Sequence, residues 1–379
     1  MHKTSCITPV VKKEFRQIVR DKRTLGVLLF IPAFMLIMFG YALTFDIRHI
    51  PLAVYDEDRN ADSRDFINNF VNTEYFDLKF YIESTKEIDA LMGDEQIRAA
   101  IVIPSGFANN IKTGNEAVVQ IIVDGANSNS ATTTIGYMGA FTQAYSQKIL
   151  LQAFKKTGLK KTTIPIDFRP RIWFNPELKS AKFLIPGLIG FILMVTAVIS
   201  TALSVVREKE KGTMEQLTVA PIKPYELIIG KMIPYIIISL VATIVILITG
   251  NILFDVVVRG SYALLFFVTL VFLTGCLGLG LLISTVAKTQ QVAFMIATMA
   301  TMLPTFILSG FVFPIRNMPL IIQGITWLVP ARYYLVSLRC IILKGTGLSS
   351  FWDQMVYLTI FSVITVGISS FRMRKRKYY

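Results

Sequence analysis

The fold is decided by FLIPGLIGFILMVTAVISTALSVV, Phe183 to Val206, and by the stretch behind it, REKEKGTMEQLTVAPI, Arg207 to Ile222. The first stretch holds no ionisable residue over a length that crosses a bilayer as a helix. The second opens in alternating charge and then places Thr213 and Gln216 at the spacing of a capping box. A short helix is therefore expected to start at Met214 and to stop before Pro221. Met214 and Leu217 would share one face of it, beside Glu215 and Gln216. A capped, half-apolar helix at the end of a span calls for a protein partner.

Working outward, Leu25 to Phe45, Met232 to Gly250, Ser261 to Ala287, Thr289 to Pro314 and Met355 to Phe371 are further apolar runs. The pattern is one span, a long gap, then five spans close together. The expected architecture is an α-helical polytopic membrane protein of six transmembrane helices with an inserted extracytoplasmic α/β (α+β) domain. Its parts are residues 1–24, a first span at 25–45, the inserted domain at 46–182, and the remaining spans at 183–379. The Leu25 to Phe45 run exceeds the apolar core of a cleaved signal peptide and reads as a retained anchor.

Composition narrows the class. The chain has 379 residues, 53% of them hydrophobic and 17% charged, with a net charge of +14. So apolar a chain is not disordered, and three cysteines staple nothing. A nucleic-acid partner would explain the basicity but not the apolar excess. Residues 1–24, 207–231, Lys288 and the tail after Phe371 hold eighteen basic residues against six acids. The short loops on the other side contribute +3 and the long gap −1. Basic residues flanking spans mark the cytoplasmic face, so both termini are expected there and residues 46–182 outside.

Within the long gap, strand-like and helical stretches alternate. Pro51 to Tyr55, Phe76 to Ile82, Ala99 to Ile103 and Val118 to Val123 read as strands. Ser63 to Asn72, Thr85 to Met92, Ser105 to Ile111 and Asn127 to Phe154 read as helices. Ile164 to Trp173 is expected as a last strand. Asp56, Asp58 and Asp62 lack the spacing of a calcium loop and read as a solvated turn. His49 is the only local histidine, so no Ser–His–Asp set can be drawn.

Ahead of the first span, Thr8-Pro9 opens a helix, with Val11, Phe15, Ile18 and Val19 forming an apolar stripe. Lys12, Lys13, Arg16 and Arg20 occupy its other faces. That pattern suits an amphipathic helix lying at the membrane surface among anionic lipid headgroups. Gly250, Gly275, Gly278 and Gly280, with Thr269, Thr274 and Ser284, allow close helix packing, either within the chain or at a subunit seam.

Together these segments resemble the permeases of type-2 (exporter) ABC transporters, the multidrug-type subgroup with a large periplasmic domain between spans one and two. The likeness rests on Arg207-Glu208, Gly212-Thr213-Met214-Glu215-Gln216-Leu217, Pro221-Ile222 and Gly230-Lys231. Lys13-Glu14-Phe15 with Arg20-Asp21, Leu308-Ser309-Gly310-Phe311, and Pro330-Ala331-Arg332-Tyr333-Tyr334 add to it. The resemblance implies a permease that pairs with a second permease subunit, identical or paralogous, in a bacterial inner membrane. It also implies a separate ABC ATPase that binds ATP and magnesium. Residues 207–231 would be the coupling loop, with Arg207, Glu208, Gly212, Thr213, Met214, Glu215, Gln216 and Leu217 meeting the ATPase. The N-terminal helix, through Val11, Phe15, Ile18 and Arg20, would be the interface helix. Residues 314–345 would form an outer re-entrant element, with Arg332 and Arg339 as outer gate candidates. A periplasmic adaptor is a further candidate partner.

The chain contains no G-x-x-x-x-G-K-[ST] loop, since Gly230-Lys231 is preceded by Tyr225 where the first glycine belongs, so it has no phosphate cradle of that type. No cofactor is expected on this chain. An ion-coupled carrier is disfavoured, because the apolar runs carry no Asp, Glu, Lys or Arg. A mechanical signal transducer without transport remains a rival. For transport, Phe191, Met194, Phe266, Phe267, Phe294, Met295, Met299 and Phe306 are candidates to line a path for hydrophobic or amphipathic cargo.

Overall fold

A computed structural model describes residues 7–42, 49–126, 128–156, 173–174, 180–213 and 223–376. The chain divides into two compact units, Phe45–Pro170 and the remainder.

The larger unit opens with α1 (Ile7–Arg20) and α2 (Lys22–Ala42). In α1 the buried face is Val10, Glu14 and Ile18, at i, i+4 and i+8, so a carboxylate sits in the middle of an apolar stripe. The expected stripe is split. Ile18 packs inward, whereas Phe15 and Val19 remain exposed.

In the smaller unit, β1 (Ile50–Asp56), α3 (Ala61–Val71), β2 (Phe76–Tyr81), α4 (Lys86–Gly93), β3 (Ala99–Ile103), α5 (Phe107–Thr113), β4 (Gln120–Val123) and α6 (Ser128–Lys156) follow in order. The sheet runs β2-β1-β3-β4, with β1 parallel to both neighbours and β4 antiparallel to β3. Side chains alternate along each strand. Ile50, Leu52 and Val54 share a core with Phe66 and Phe70 of α3 and Met138 and Tyr145 of α6. Ala53, Ala100 and Val102 share another with Ile88 of α4. Helices cover both faces, so this unit is α/β. The strand expected at 164–173 falls outside the described residues, Trp173 apart.

The acidic turn is more than solvated. Asp56 accepts from the amides of Asp58 and Arg59 and from the Ser63 hydroxyl. Asp58 accepts from the amides of Gly106 at 2.8 Å and Ala108 at 2.9 Å. Gly106 precedes α5 with φ of 84° and brings no side-chain cap of its own, so Asp58 supplies that cap from 48 residues away.

The larger unit resumes with α7 (Ser180–Glu210), α8 (Pro224–Phe254), α9 (Tyr262–Val286), α10 (Gln290–Leu308), α11 (Leu320–Thr326), α12 (Pro330–Arg339) and α13 (Trp352–Arg376). Among the described residues α7, α8, α9, α10 and α13 are long and apolar enough to cross a membrane. The pair built from α11 and α12, extended by a π turn to Lys344, is bent by 84° and brings the total to six if counted as one span. The first expected span appears as a shorter apolar helix over Leu28–Ala42.

The post of the bundle is α7: 78% of its most apolar stretch is buried, against 22% for α10. The small residues work inside the chain. A Cβ on Gly278 would stand 2.7 Å from the Thr365 hydroxyl, and one on Gly280 2.6 Å from the Val198 carbonyl. At the seam between α9 and α13, where Gly278 sits, Ser362, Thr365 and Ser369 of α13 donate to the carbonyls of Val271, Gly275 and Gly278 in α9. Glycine removes the side chain that would hold the two backbones apart, and hydroxyls then bridge the gap. Two path candidates are core residues, since Phe191 and Met194 are fully buried. Phe267, Phe294, Met295 and Met299 are exposed.

Candidate functional site: a charged joint at one end of the bundle

The last turn of α7 is Arg207-Glu208-Lys209-Glu210. Successive helical residues are rotated by about 100°, so four in a row point around the whole circumference. Between them they reach α1, α8, α9 and α10, with Arg207 and Glu210 both meeting Gln290. Arg207 donates to Gln290 Oε1 at 3.3 Å, at the start of α10, and lies 3.5 Å from Asp21 between α1 and α2. Glu208 accepts from Lys13 of α1 and pairs with Lys231 of α8, both at 2.6 Å. Lys209 donates to the Ser284 carbonyl near the end of α9. Glu210 accepts from the backbone and side-chain amides of Gln290.

Lys231 is the centre of the joint. Its ammonium lies 2.8 Å from Glu14 and 2.6 Å from Glu208, and its side chain is 1% exposed. The two carboxylates are nearly as buried, while Lys13 is 43% exposed and closes the group at its rim. Two positive and two negative charges leave the cluster neutral, which is the condition for holding charge out of water. The approach of α1 to α8 depends on Gly230. A Cβ there would stand 2.6 Å from Val10 Cγ1 and 3.5 Å from the Ile7 carbonyl oxygen. With any larger residue, Lys231 would be carried away from Glu14.

Beyond the last turn, α7 stops at Gly212, whose φ of 68° is the left-handed conformation of a helix C-cap. Its amide donates to the Lys209 carbonyl at 3.1 Å. Thr213 turns its hydroxyl back to the Glu208 carbonyl at 3.2 Å, so its side chain closes the outgoing turn. Met214, Glu215, Gln216 and Leu217 lie outside the described residues.

Of the expected interface-helix residues, Ile18 packs inward; Val11 is half-buried, and Phe15 and Arg20 are exposed. Arg332 and Arg339 sit elsewhere in the larger unit and are each engaged. Arg332 bonds the Thr326 hydroxyl and lies over the Trp327 ring at 4.6 Å, bracing the bend between α11 and α12. Arg339 donates to the carbonyls of Gly310 and Phe311 and stacks on Phe183 at 3.9 Å.

Sequence reasoning singled out Arg207 and Glu208 but gave no site role to Lys13, Glu14 or Lys231. The signal was present: Glu14 interrupts the i, i+4, i+8 row of Val10 and Ile18, and Lys231 abuts an apolar run.

A bundle of apolar helices joined by such a charged knot, with an α/β unit between its first two apolar helices, defines a multi-span membrane protein. Residues 22–371 match the profile of the ABC-2 family transporter proteins. The chain belongs to that family. It is 34% identical to the probable multidrug ABC transporter permease YbhS of Escherichia coli over 366 residues, covering 96% of this chain and 95% of that protein. With YbhR of the same organism, also a probable multidrug ABC transporter permease, identity is 31% over 368 residues, covering 97% and 98%. The inner membrane transport permease YhhJ is 25% identical over 373 residues, covering 96% and 95%.

Proposed function

We propose that this chain is the transmembrane permease subunit of an ATP-driven exporter of hydrophobic or amphipathic molecules. In this reading it sits in a bacterial inner membrane with both termini cytoplasmic and residues 46–182 outside, and it assembles with a second permease subunit. A separate ABC ATPase binds ATP and magnesium and docks on the loop over residues 207–231. An extracytoplasmic adaptor is a further candidate partner.

The observation that carries the proposal is the charged last turn of α7. The loop departs at Gly212, just after the charged last turn of α7, and returns at Lys223, ahead of Lys231 on α8. A push on the loop would therefore reach α1 and α8 through Glu208, and the ends of α9 and α10 through Lys209 and Glu210. Rigid elements joined by a network of buried ion pairs and hydrogen bonds move together.

The test is to co-express the chain with its ATPase and replace Glu215 and Leu217 by alanine. Loss of both substrate-stimulated ATP hydrolysis and export is expected, with the complex still inserted in the membrane. Coupling that survives both replacements would overturn the docking assignment.

A further inference from the structure

Beside the joint lies a cavity of about 260 Å³ enclosed by α1, α2, α7 and α8. Its polar wall carries Glu14, Asp21, Arg207, Ser200, Ser204 and Tyr235. Leu28 and Leu203 belong to its apolar side.

The wall is dipolar. Asp21 and Arg207 stand 3.5 Å apart on it, while the Glu14 carboxylate is already held by Lys231 at 2.8 Å. A purely anionic guest would face the Asp21 carboxylate, and a purely cationic one would face the guanidinium. A guest bearing a phosphate and an ammonium a few atoms apart meets each with its opposite. The hydroxyls of Ser200, Ser204 and Tyr235 can donate to phosphate oxygens or accept from an ammonium. The apolar side then suits the carbon stem of an amphiphile. Depth agrees with this. The cavity lies where the apolar runs of α2 and α7 give way to Asp21 and Arg207, the level at which lipid headgroups sit.

We propose that this cavity binds a zwitterionic phosphoethanolamine headgroup, its phosphate toward Arg207 and its ammonium toward Asp21. The guest touches the same α1 that the charged joint holds, so an occupied cavity would brace α1 against α2 and α7. The inference stands whether or not the neighbouring loop meets an ATPase.

The experiment uses the full chain in nanodiscs of equal phosphatidylethanolamine, phosphatidylcholine and phosphatidylglycerol. Lipid retained after detergent transfer is counted by native mass spectrometry. A diazirine-bearing phosphatidylethanolamine is crosslinked and mapped. Retention should favour phosphatidylethanolamine over the other two, with crosslinks in the peptides holding Glu14 to Asp21 and Ile199 to Arg207. Ser204→Leu fills the cavity without altering a charge and should lower retention about tenfold. Should that variant not yield a monodisperse protein, Asp21→Asn reads the same site, and preference for the primary ammonium over choline should fall.

Soluble glycerophosphoethanolamine provides the second arm. Displacement of the retained lipid shows that the headgroup alone suffices, so that a free ligand can serve. No displacement assigns the site to the intact lipid. Equal retention of the three lipids, crosslinks confined to other helices, or unchanged retention in the variant would each overturn the proposal.

Discussion

Lys231→Met removes the cation at the centre of the joint while keeping most of the length of the side chain. In the wild-type protein Lys231 stands 2.8 Å from Glu14 and 2.6 Å from Glu208. Lys13 then serves both carboxylates, at 2.6 Å from Glu208 and 3.8 Å from Glu14, so two buried negative charges share one half-exposed ammonium. Removing one partner of a buried ion pair costs about 3–5 kcal/mol. The relief available to the protein is to release α1 and let Glu14 reach water. At about 1.4 kcal/mol per decade, the open population of α1 should rise by roughly two to nearly four orders of magnitude. Hydrogen exchange of the α1 amides in nanodiscs measures this, with the α/β unit as an internal control that should not change. The double variant Glu14→Gln with Lys231→Met leaves Glu208 paired with Lys13 and no net buried charge, so it should regain most of the lost protection. The reasoning fails if Lys231→Met exchanges as slowly as wild type. It fails equally if the double variant opens α1 as widely as the single one.

Three other outcomes follow from features away from the joint. Gly278→Val forces a side chain against Thr365 and Val366, where even a Cβ has only 2.7–3.1 Å, and should destabilise the bundle by about 1–3 kcal/mol, read as a lower melting temperature in detergent. Asp58→Ala removes the cap on the Gly106 and Ala108 amides, and exchange at the start of α5 should quicken to match a loss of about 0.5–2 kcal/mol. The Tyr145 phenol is pushed up to about 12 by burial and by the carboxylates of Asp65 and Asp62. It stays neutral in the folded unit above the unfolded value of about 10, so its contribution is whole below that value and is lost as pH rises toward 12. Ultraviolet titration of phenolate should show a late phase that Asp65→Asn lowers only in part, because burial, the larger cause, persists.

Much of this was legible because it is local. The strand Ala99–Ile103 is found where its apolar run predicts, and α3, α4 and α6 begin within three residues of expectation. The long apolar runs mark α7 to α10 and α13 in the same way, because a stretch without charge reports its surroundings directly.

What sequence could not supply was pairing across distance. Glu14 and Lys231 are 217 residues apart, and each alone looks like an ordinary surface charge. Of the local stripe of Val11, Phe15, Ile18 and Val19 only Ile18 is buried, because the inward face of α1 is the one on which Glu14 meets Lys231. Asp58 was read as solvent-facing for the same reason, since the amides it caps lie on another element. The glycines were recognised as contact points, but only the fold shows that Gly275 and Gly278 face Ser362 and Thr365 of the same chain.

The radial arrangement of Arg207, Glu208, Lys209 and Glu210 has a consequence for exchange of parts between relatives. Their partners are assigned by angle, so inserting or deleting one residue in α7 ahead of them would turn the set by about 100° and present every charge to the wrong neighbour. A deletion there would be an electrostatic frameshift, harmful without altering any side chain in the joint. Grafting the 213–222 segment from another permease should therefore succeed when the junction falls after Gly212, where the helix has already ended. The same graft joined before Arg207 should succeed only if the donor brings its own register and its own Lys13, Glu14 and Lys231.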